Sequence, residues 1–265
     1  MTASRMPVPA GPVDVHWAFA RYEQIRPRLP DATFPARALR VADLSEVFGR
    51  YDGFILDAFG VLNRGESVIE GAVGRIAQMR AAGKRVVVLT NGASHARTAA
   101  LAKYGRLGFD FLPDEVVASR DVAAQALRAH PEGMLWAAIT AAGAAFDDLP
   151  GRIEPLAGND DLLARADGFL FLGAEGWTAA RQAALVAALR ARPRPVVVAN
   201  PDVIAPREDD FSLEPGHFAH DLPLFDGQGP VPEFHGKPYG AALRAAAQRL
   251  GAIPPERIAM VGDTL

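Results

Sequence analysis

Cysteine is absent from the 265 residues, which excludes disulfides and thiolate chemistry and fits a reducing compartment. No apolar run approaches the ~18 residues of a membrane-spanning helix. The opening stretch MTASRMPVPAGPVDVHW has no continuous apolar segment of the secretory-signal kind. The expectation is a cytoplasmic protein with no membrane partner. Charge of one sign is also scarce. A formal net charge of -3 and a pI near 6.1 give no basic surplus, so nucleic acid is not an expected partner. No G-x-G-x-x-G or P-loop follows a strand-like run, which argues against a plain nucleotide-cofactor fold. The six histidines form no pair at helical spacing and read as structural or surface residues.

What is present suits a well-cored soluble fold: 49% of residues are hydrophobic and 22% charged. The length allows one large domain or two of ordinary size. Residues 1–12 carry three prolines and read as a loose arm. Asp14 to Arg26 and Val41 to Phe48 have mixed helical patterns, with Asp43 and Ser45 as caps for the second.

The stretch Tyr51 to Gly65, YDGFILDAFGVLNRG, stands out. Gly53 to Leu56 is a short apolar run of the buried parallel-strand kind. It ends on Asp57, where open α/β sheets place their chemistry, although an acid there serves equally well to cap a turn. Gly71 to Gly83 reads as a helix. Arg85 to Leu89 is a β-branched strand that runs into Thr90-Asn91-Gly92. Strand, helix and strand at this spacing predict a right-handed parallel unit, which sets Thr90 and Asn91 at the same sheet end as Asp57. Ser94 to Gly108 reads as a helix and Glu115 to Ser119 as a strand.

Between Arg120 and Ala199 the pattern restarts. It has a helix over Asp121 to Ala129, an apolar run from Met134 to Thr140 and a short helix at Asp160 to Arg165. A strand (Gly168 to Leu172), a helix (Thr178 to Arg190) and a strand (Val196 to Ala199) complete it. Asn200-Pro201-Asp202 marks a turn. A polar stretch to about Glu233 reads as loop around one short helix near His217 to Asp221. Lys237-Pro238 leads into a helix, Tyr239 to Leu250, and Arg257 to Asp263 is a strand ending Gly-Asp. The domains predicted are therefore an N-terminal arm with helices (1–48), an α/β core (49–119 and 200–265) and an inserted α/β unit (120–199).

Asp57, Thr90-Asn91, Lys237 and Asp263 have a joint chemical logic. An aspartate can act as a covalent nucleophile toward phosphorus or carbon. A lysine offsets its charge and that of a substrate phosphate. A threonine hydroxyl and nearby backbone N–H groups suit phosphate oxygens. Two carboxylates with a main-chain carbonyl make a hard oxygen site for Mg²⁺.

In this order the residues resemble the haloacid dehalogenase superfamily of aspartate-nucleophile phosphotransferases. Its first motif matches DAFGVL at Asp57 to Leu62 apart from one position. Its second matches VVVLTN with Thr90, its third Lys237, and its fourth Val261-Gly262-Asp263. The TNGAS run, Asn200-Pro201-Asp202 and GKP resemble the class IIA branch, which carries a large α/β cap between the second and third motifs. That branch includes nucleotide, sugar-phosphate and phosphoglycolate phosphatases. The resemblance implies a doubly wound, Rossmann-like parallel sheet with an inserted cap. It implies Asp57, Thr90 and Lys237 as catalytic residues, and Thr90, Asn91, Gly92 and Lys237 around the phosphate. Mg²⁺ would be held by Asp57, the Phe59 backbone carbonyl and Asp263. The partner would be a small phosphorylated metabolite. Arg64 and Arg97 lie near this site and are further candidates for a substrate anion.

Two departures bear on activity. Phosphatases of this family carry an acid two residues after the nucleophile, where this chain has Phe59. The superfamily's dehalogenases have an aromatic residue there, so a carbon–halogen hydrolase or a catalytically weak binding protein is the alternative. The fourth motif also normally continues beyond the position of Leu265. The Ile258 to Val261 strand is expected to have an exposed edge of the kind that favours association with a second copy.

Overall fold

The computed structural model describes residues 13–34, 36–207, 210–227 and 229–263. The arm expected over residues 1–12 lies outside these. The first sheet is parallel and ordered β13-β1-β4-β5, from β1 (Gly53–Leu56), β4 (Arg85–Thr90), β5 (Val116–Ala118) and β13 (Ile258–Val261). Its strands are apolar on both sides because both faces are covered. Phe54, Leu56, Val86 and Val88 pack on one face against Ile76 and Met79 of α2 (Ala72–Ala81) and Tyr104 of α3 (Arg97–Arg106). Ile55, Val87, Leu89 and Val117 pack on the other against Ala242 and Ala246 of α8 (Gly240–Arg249) and Leu250 just after it. The chain leaves β1 first toward β4 and later returns to its other side as β13. This winding opens a crevice at the carboxyl ends of β1 and its neighbours. A small hairpin, β2 (Asn63–Arg64) with β3 (Ser67–Val68), stands beside it.

The second sheet is also parallel and ordered β12-β9-β8-β6-β7. Its strands are β6 (Leu135–Ile139), β7 (Arg152–Pro155), β8 (Gly168–Phe171), β9 (Val196–Val198) and β12 (Glu233–Phe234). Leu135, Ala137, Ile139, Phe169 and Phe171 face Leu185, Val186 and Leu189 of α6 (Ala179–Ala191). Trp136, Ala138, Leu170 and Val197 face Ala123, Ala124 and Leu127 of α4 (Ser119–Leu127). The residue just before these on α4, Val122, belongs to the first sheet's cluster, so one helix serves both sheets. A four-residue helix, α5 (Leu162–Arg165), follows β7.

The strand at Glu233–Phe234 carries the second sheet past Ala199, where the inserted unit was expected to end. Residues between also belong to it: Phe218, Ala219, Leu222 and Leu224 share its core cluster. The hairpin β10 (Ile204–Pro206) and β11 (Phe211–Leu213) stands where loop was expected, and the short helix expected near His217 to Asp221 is α7 (Pro215–Ala219). The helix expected over Val41 to Phe48 is a 3₁₀ turn, Leu44–Val47. Asp43 caps it by accepting the Ser45 N–H at 2.6 Å.

Before the first sheet lies α1 (Val15–Ile25), capped by Asp14, which accepts the Trp17 N–H at 2.7 Å. It docks through an unusual anchor. Arg21 is 1% exposed and donates to the His217 carbonyl and to Asp221, both at 2.8 Å. Arg28 donates to the His220 carbonyl, and the Trp17 and His217 rings lie 5.3 Å apart. Among the described residues no helix is long and apolar enough to cross a membrane.

Candidate active site

Asp57 follows β1 directly, and its N–H donates to the Val261 carbonyl at 2.9 Å, which locks it to the end of β13. Its carboxylate accepts the Ala58 N–H at 2.6 Å and is ion-paired with Lys237 Nζ. Both side chains are largely covered, 20% and 15% exposed, so this pair is far less screened than a surface pair.

The turn after Asp57 is tight. The Ala58 carbonyl accepts the N–H groups of Leu62 at 2.8 Å and Asn63 at 3.0 Å, and Gly60 N–H donates to the Asn63 carbonyl at 2.9 Å. Gly60 has φ 80°, a left-handed conformation that glycine adopts without strain. It is also where Asp263 arrives: a Cβ on Gly60 would lie 2.0 Å from Asp263 Oδ2. Asp263 therefore lies against the Asp57 turn, although some two hundred residues separate them in sequence.

Thr90 ends β4 and is 4% exposed. Its hydroxyl oxygen accepts the Gly92 N–H at 3.1 Å. Burial pushes the Tyr104 phenol up, with the neighbouring Thr90 hydroxyl opposing that shift. Asn91 departs from expectation. Its amide nitrogen donates to Asp202 at 2.8 Å and to the Lys237 carbonyl at 3.0 Å, while its oxygen accepts the Lys237 N–H at 2.8 Å. The side chain expected on a phosphate oxygen instead fixes the lysine loop. The Gly92 N–H is similarly given to Thr90. Gly236 lets this packing form, since a Cβ there would meet Pro201 at 2.5 Å and Asn91 Oδ1 at 2.6 Å.

Other side chains surround the Asp57 turn, some of them given no role by the sequence. Phe59 lies between two cations, with Lys103 Nζ 4.9 Å and the Arg207 guanidinium 5.6 Å from its ring centre. Lys103 also donates to the Gly65 carbonyl and pairs with Glu66, both at 2.8 Å. Arg207, at the end of β10, donates to Ser212 at 2.8 Å and to Glu214 at 2.9 Å. Burial holds the Glu214 carboxyl above its ordinary range. Burial likewise pushes Asp202 up to about 7; Lys237 opposes this and Asp57 adds to it. Asn200-Pro201-Asp202 signalled this turn, but Lys103 and Arg207 carry no sequence mark. Arg64 is exposed on β2, and Arg97 pairs with Asp121 at 3.8 Å.

The donor set can be tested for a divalent cation. The amides of the turn go to the Ala58 and Asn63 carbonyls, and none goes to that of Phe59. That oxygen, with Asp57 and Asp263, makes a hard, anionic set of the kind Mg²⁺ prefers. Among the described residues no group of three or more His, Cys, Asp or Glu side chains is placed to hold a metal ion.

Residues 54–146 match the family model described as haloacid dehalogenase-like hydrolase. A solved structure of a possible sugar phosphatase from Cytophaga hutchinsonii superposes with a TM-score of 0.73 at 24% identity, covering 86% of this chain and 83% of that one. The fold is that of the haloacid dehalogenase-like hydrolases. Glycerol-3-phosphate phosphatase from Gallus gallus is 40% identical over 89 residues, which is 33% of this chain and 28% of that protein. The chain thus matches about a third of the length of such curated relatives. A glycerol phosphate phosphatase from Mycobacterium tuberculosis, solved in complex with magnesium, superposes with a TM-score of 0.64 at 24% identity. That match covers 83% of this chain and 63% of that one.

Proposed function

We propose that the protein is a Mg²⁺-dependent phosphatase of small phosphate esters, of the sugar-phosphate or glycerol-phosphate type. The observation that carries this reading is the largely covered Asp57–Lys237 pair at the carboxyl edge of the first sheet, with Asp263 packed on Gly60 beside it. The Asp57 carboxylate attacks phosphorus, the bond from phosphorus to the alcohol oxygen breaks, that oxygen takes a proton from water, and an aspartyl phosphate forms. Water then attacks that phosphorus and releases Asp57 and inorganic phosphate. Lys237 pairs with the Asp57 carboxylate and balances the incoming phosphate. Thr90 offers its hydroxyl to a phosphate oxygen. Asp57, the Phe59 carbonyl and Asp263 would hold the cation, which draws charge from the transferring group when bound. The second sheet forms the cap that covers the alcohol part of the ester.

A carbon–halogen hydrolase, which Phe59 alone would allow, gives no purpose to Asp263 beside Asp57, and the named relatives are phosphatases. The test is release of phosphate from a panel of sugar, glycerol and aryl phosphates, with and without Mg²⁺. Wild type should turn over at least one ester in a Mg²⁺-dependent way, and Asp57→Asn should lose about 10³-fold or more in kcat. Full activity in Asp57→Asn would overturn the reading.

A further inference from the structure

Tyr22 lies on α1, outside the residues that match the family model. Its phenol oxygen accepts the Val203 N–H at 3.2 Å. Val203 is 0% exposed, and its carbonyl in turn accepts the Glu214 N–H at 2.9 Å, so this peptide is gripped from both sides. The preceding residue is Asp202, whose carboxylate accepts from Asn91, which in turn holds Lys237 by two bonds. Lys237 is paired with Asp57. An unbroken run of contacts therefore joins the N-terminal helix to the nucleophile. Its outer end is rigid, because the fully buried Arg21 one residue earlier fastens α1 to His217 and Asp221.

We propose that Tyr22 is a positioning residue for the Lys237–Asp57 pair, acting through Val203, Asp202 and Asn91. The proposal rests on reading Asp57 and Lys237 as the reacting pair. A buried N–H that loses its acceptor must find another or move toward water. Without the phenol oxygen the Val203 peptide shifts, Asp202 shifts with it, and Asn91 follows the carboxylate it donates to. The Lys237 ammonium is then displaced from Asp57. Lysine is a point charge whose effect depends on where it sits, so its displacement weakens the step in which charge moves from the phosphoryl group to the leaving oxygen. The N-terminal helix thus becomes part of the active site without touching the substrate.

Tyr22→Phe keeps the ring and removes the hydroxyl that accepts the Val203 N–H. Two readouts apply to the full chain. The first is steady-state kinetics in a double-mutant cycle with Asn91→Ala. The relay predicts that kcat in Tyr22→Phe falls about tenfold with KM within about twofold. It also predicts that Tyr22→Phe costs little more once Asn91 is already alanine. The second readout is amide hydrogen exchange, which needs no turnover: the Val203 and Lys237 amides should both exchange about tenfold faster in Tyr22→Phe. Wild-type kcat in Tyr22→Phe, losses that multiply independently in the double variant, or faster exchange confined to Val203 would each overturn the relay. If wild type hydrolyses no phosphate ester, the phosphatase reading fails, and exchange at Lys237 still decides the relay.

Discussion

Asn91 commits every polar atom of its side chain inside the protein, to Asp202 and to both backbone groups of Lys237. An asparagine after a strand invites the simpler expectation of a phosphate ligand, because its sequence position fixes its sheet end but not its partners. Asp57, Thr90, Lys237 and Asp263 were legible because each terminates a strand or opens a helix, and topology then gathers them. Lys103 and Arg207 were not, since a cation on a helix or hairpin reads as a solvated charge until the ring between them is seen. Phe59 offers no proton to a leaving alkoxide. Phe59→Asp should therefore raise kcat/KM for alkyl phosphates by about 10²-fold, the usual worth of a placed general acid. The gain for p-nitrophenyl phosphate, whose leaving group needs no proton, should be much smaller. Comparable gains on both esters would mean that the new carboxylate acts by other means.

At the scale of elements, the long buried strands and their covering helices were predictable from apolar runs and glycine stops. The missed ones share a physical reason. The strand Arg152–Pro155 is half exposed and carries a proline, and Glu233–Phe234 is two residues long, too little pattern for a period to register. The clasp between α1 and α7 also escaped notice, because Arg21 has the spacing of any surface arginine. It sets a pH dependence. Burial and the Arg21 charge hold His217 down to about 4 and His220 to about 3, against 6.5 for a free ring; Arg28 adds to this at His220, and Asp221 opposes it at His217. Both rings stay neutral in the fold while the unfolded chain protonates near pH 6.5. Stability must therefore fall as pH drops from 6.5 toward 4, by up to about 1.4 kcal/mol per pH unit for each ring. Urea midpoints measured between pH 7.5 and 4.5 should show this slope, and His220→Gln should flatten it. An unchanged slope in that variant would remove His220 from the acid sensitivity and leave it to His217 and the carboxylates.

For the molecule as a whole, two parallel sheets and an insertion between Thr90 and Lys237 followed from the alternation of strands and helices. The place where the second sheet ends did not, because its last strand returns after a long polar stretch. Between the sheets stands Arg120, 0% exposed, which donates to the Ala93 carbonyl at 3.1 Å, to the Ala145 carbonyl at 2.6 Å and to both oxygens of Asp148 at 2.7 Å. It ties the loop after Thr90 to the loop after β6. Arg120→Ala leaves these acceptors unpaired and should cost about 3 kcal/mol of unfolding free energy, measured by chemical denaturation. A loss under about 1 kcal/mol would mean that water replaces the guanidinium.

The sharing of α4 has a further consequence. Val122 is rooted in one sheet's core and Ala123, Ala124 and Leu127 in the other's. A fragment cut to contain only the second sheet, from Leu135 to Phe234, would bare the face lined by Trp136, Ala138, Leu170 and Val197. The two sheets look like modules on a topology diagram, but the protein cannot be dissected along that line, and a transplant of the second sheet to another scaffold has to carry α4 with it.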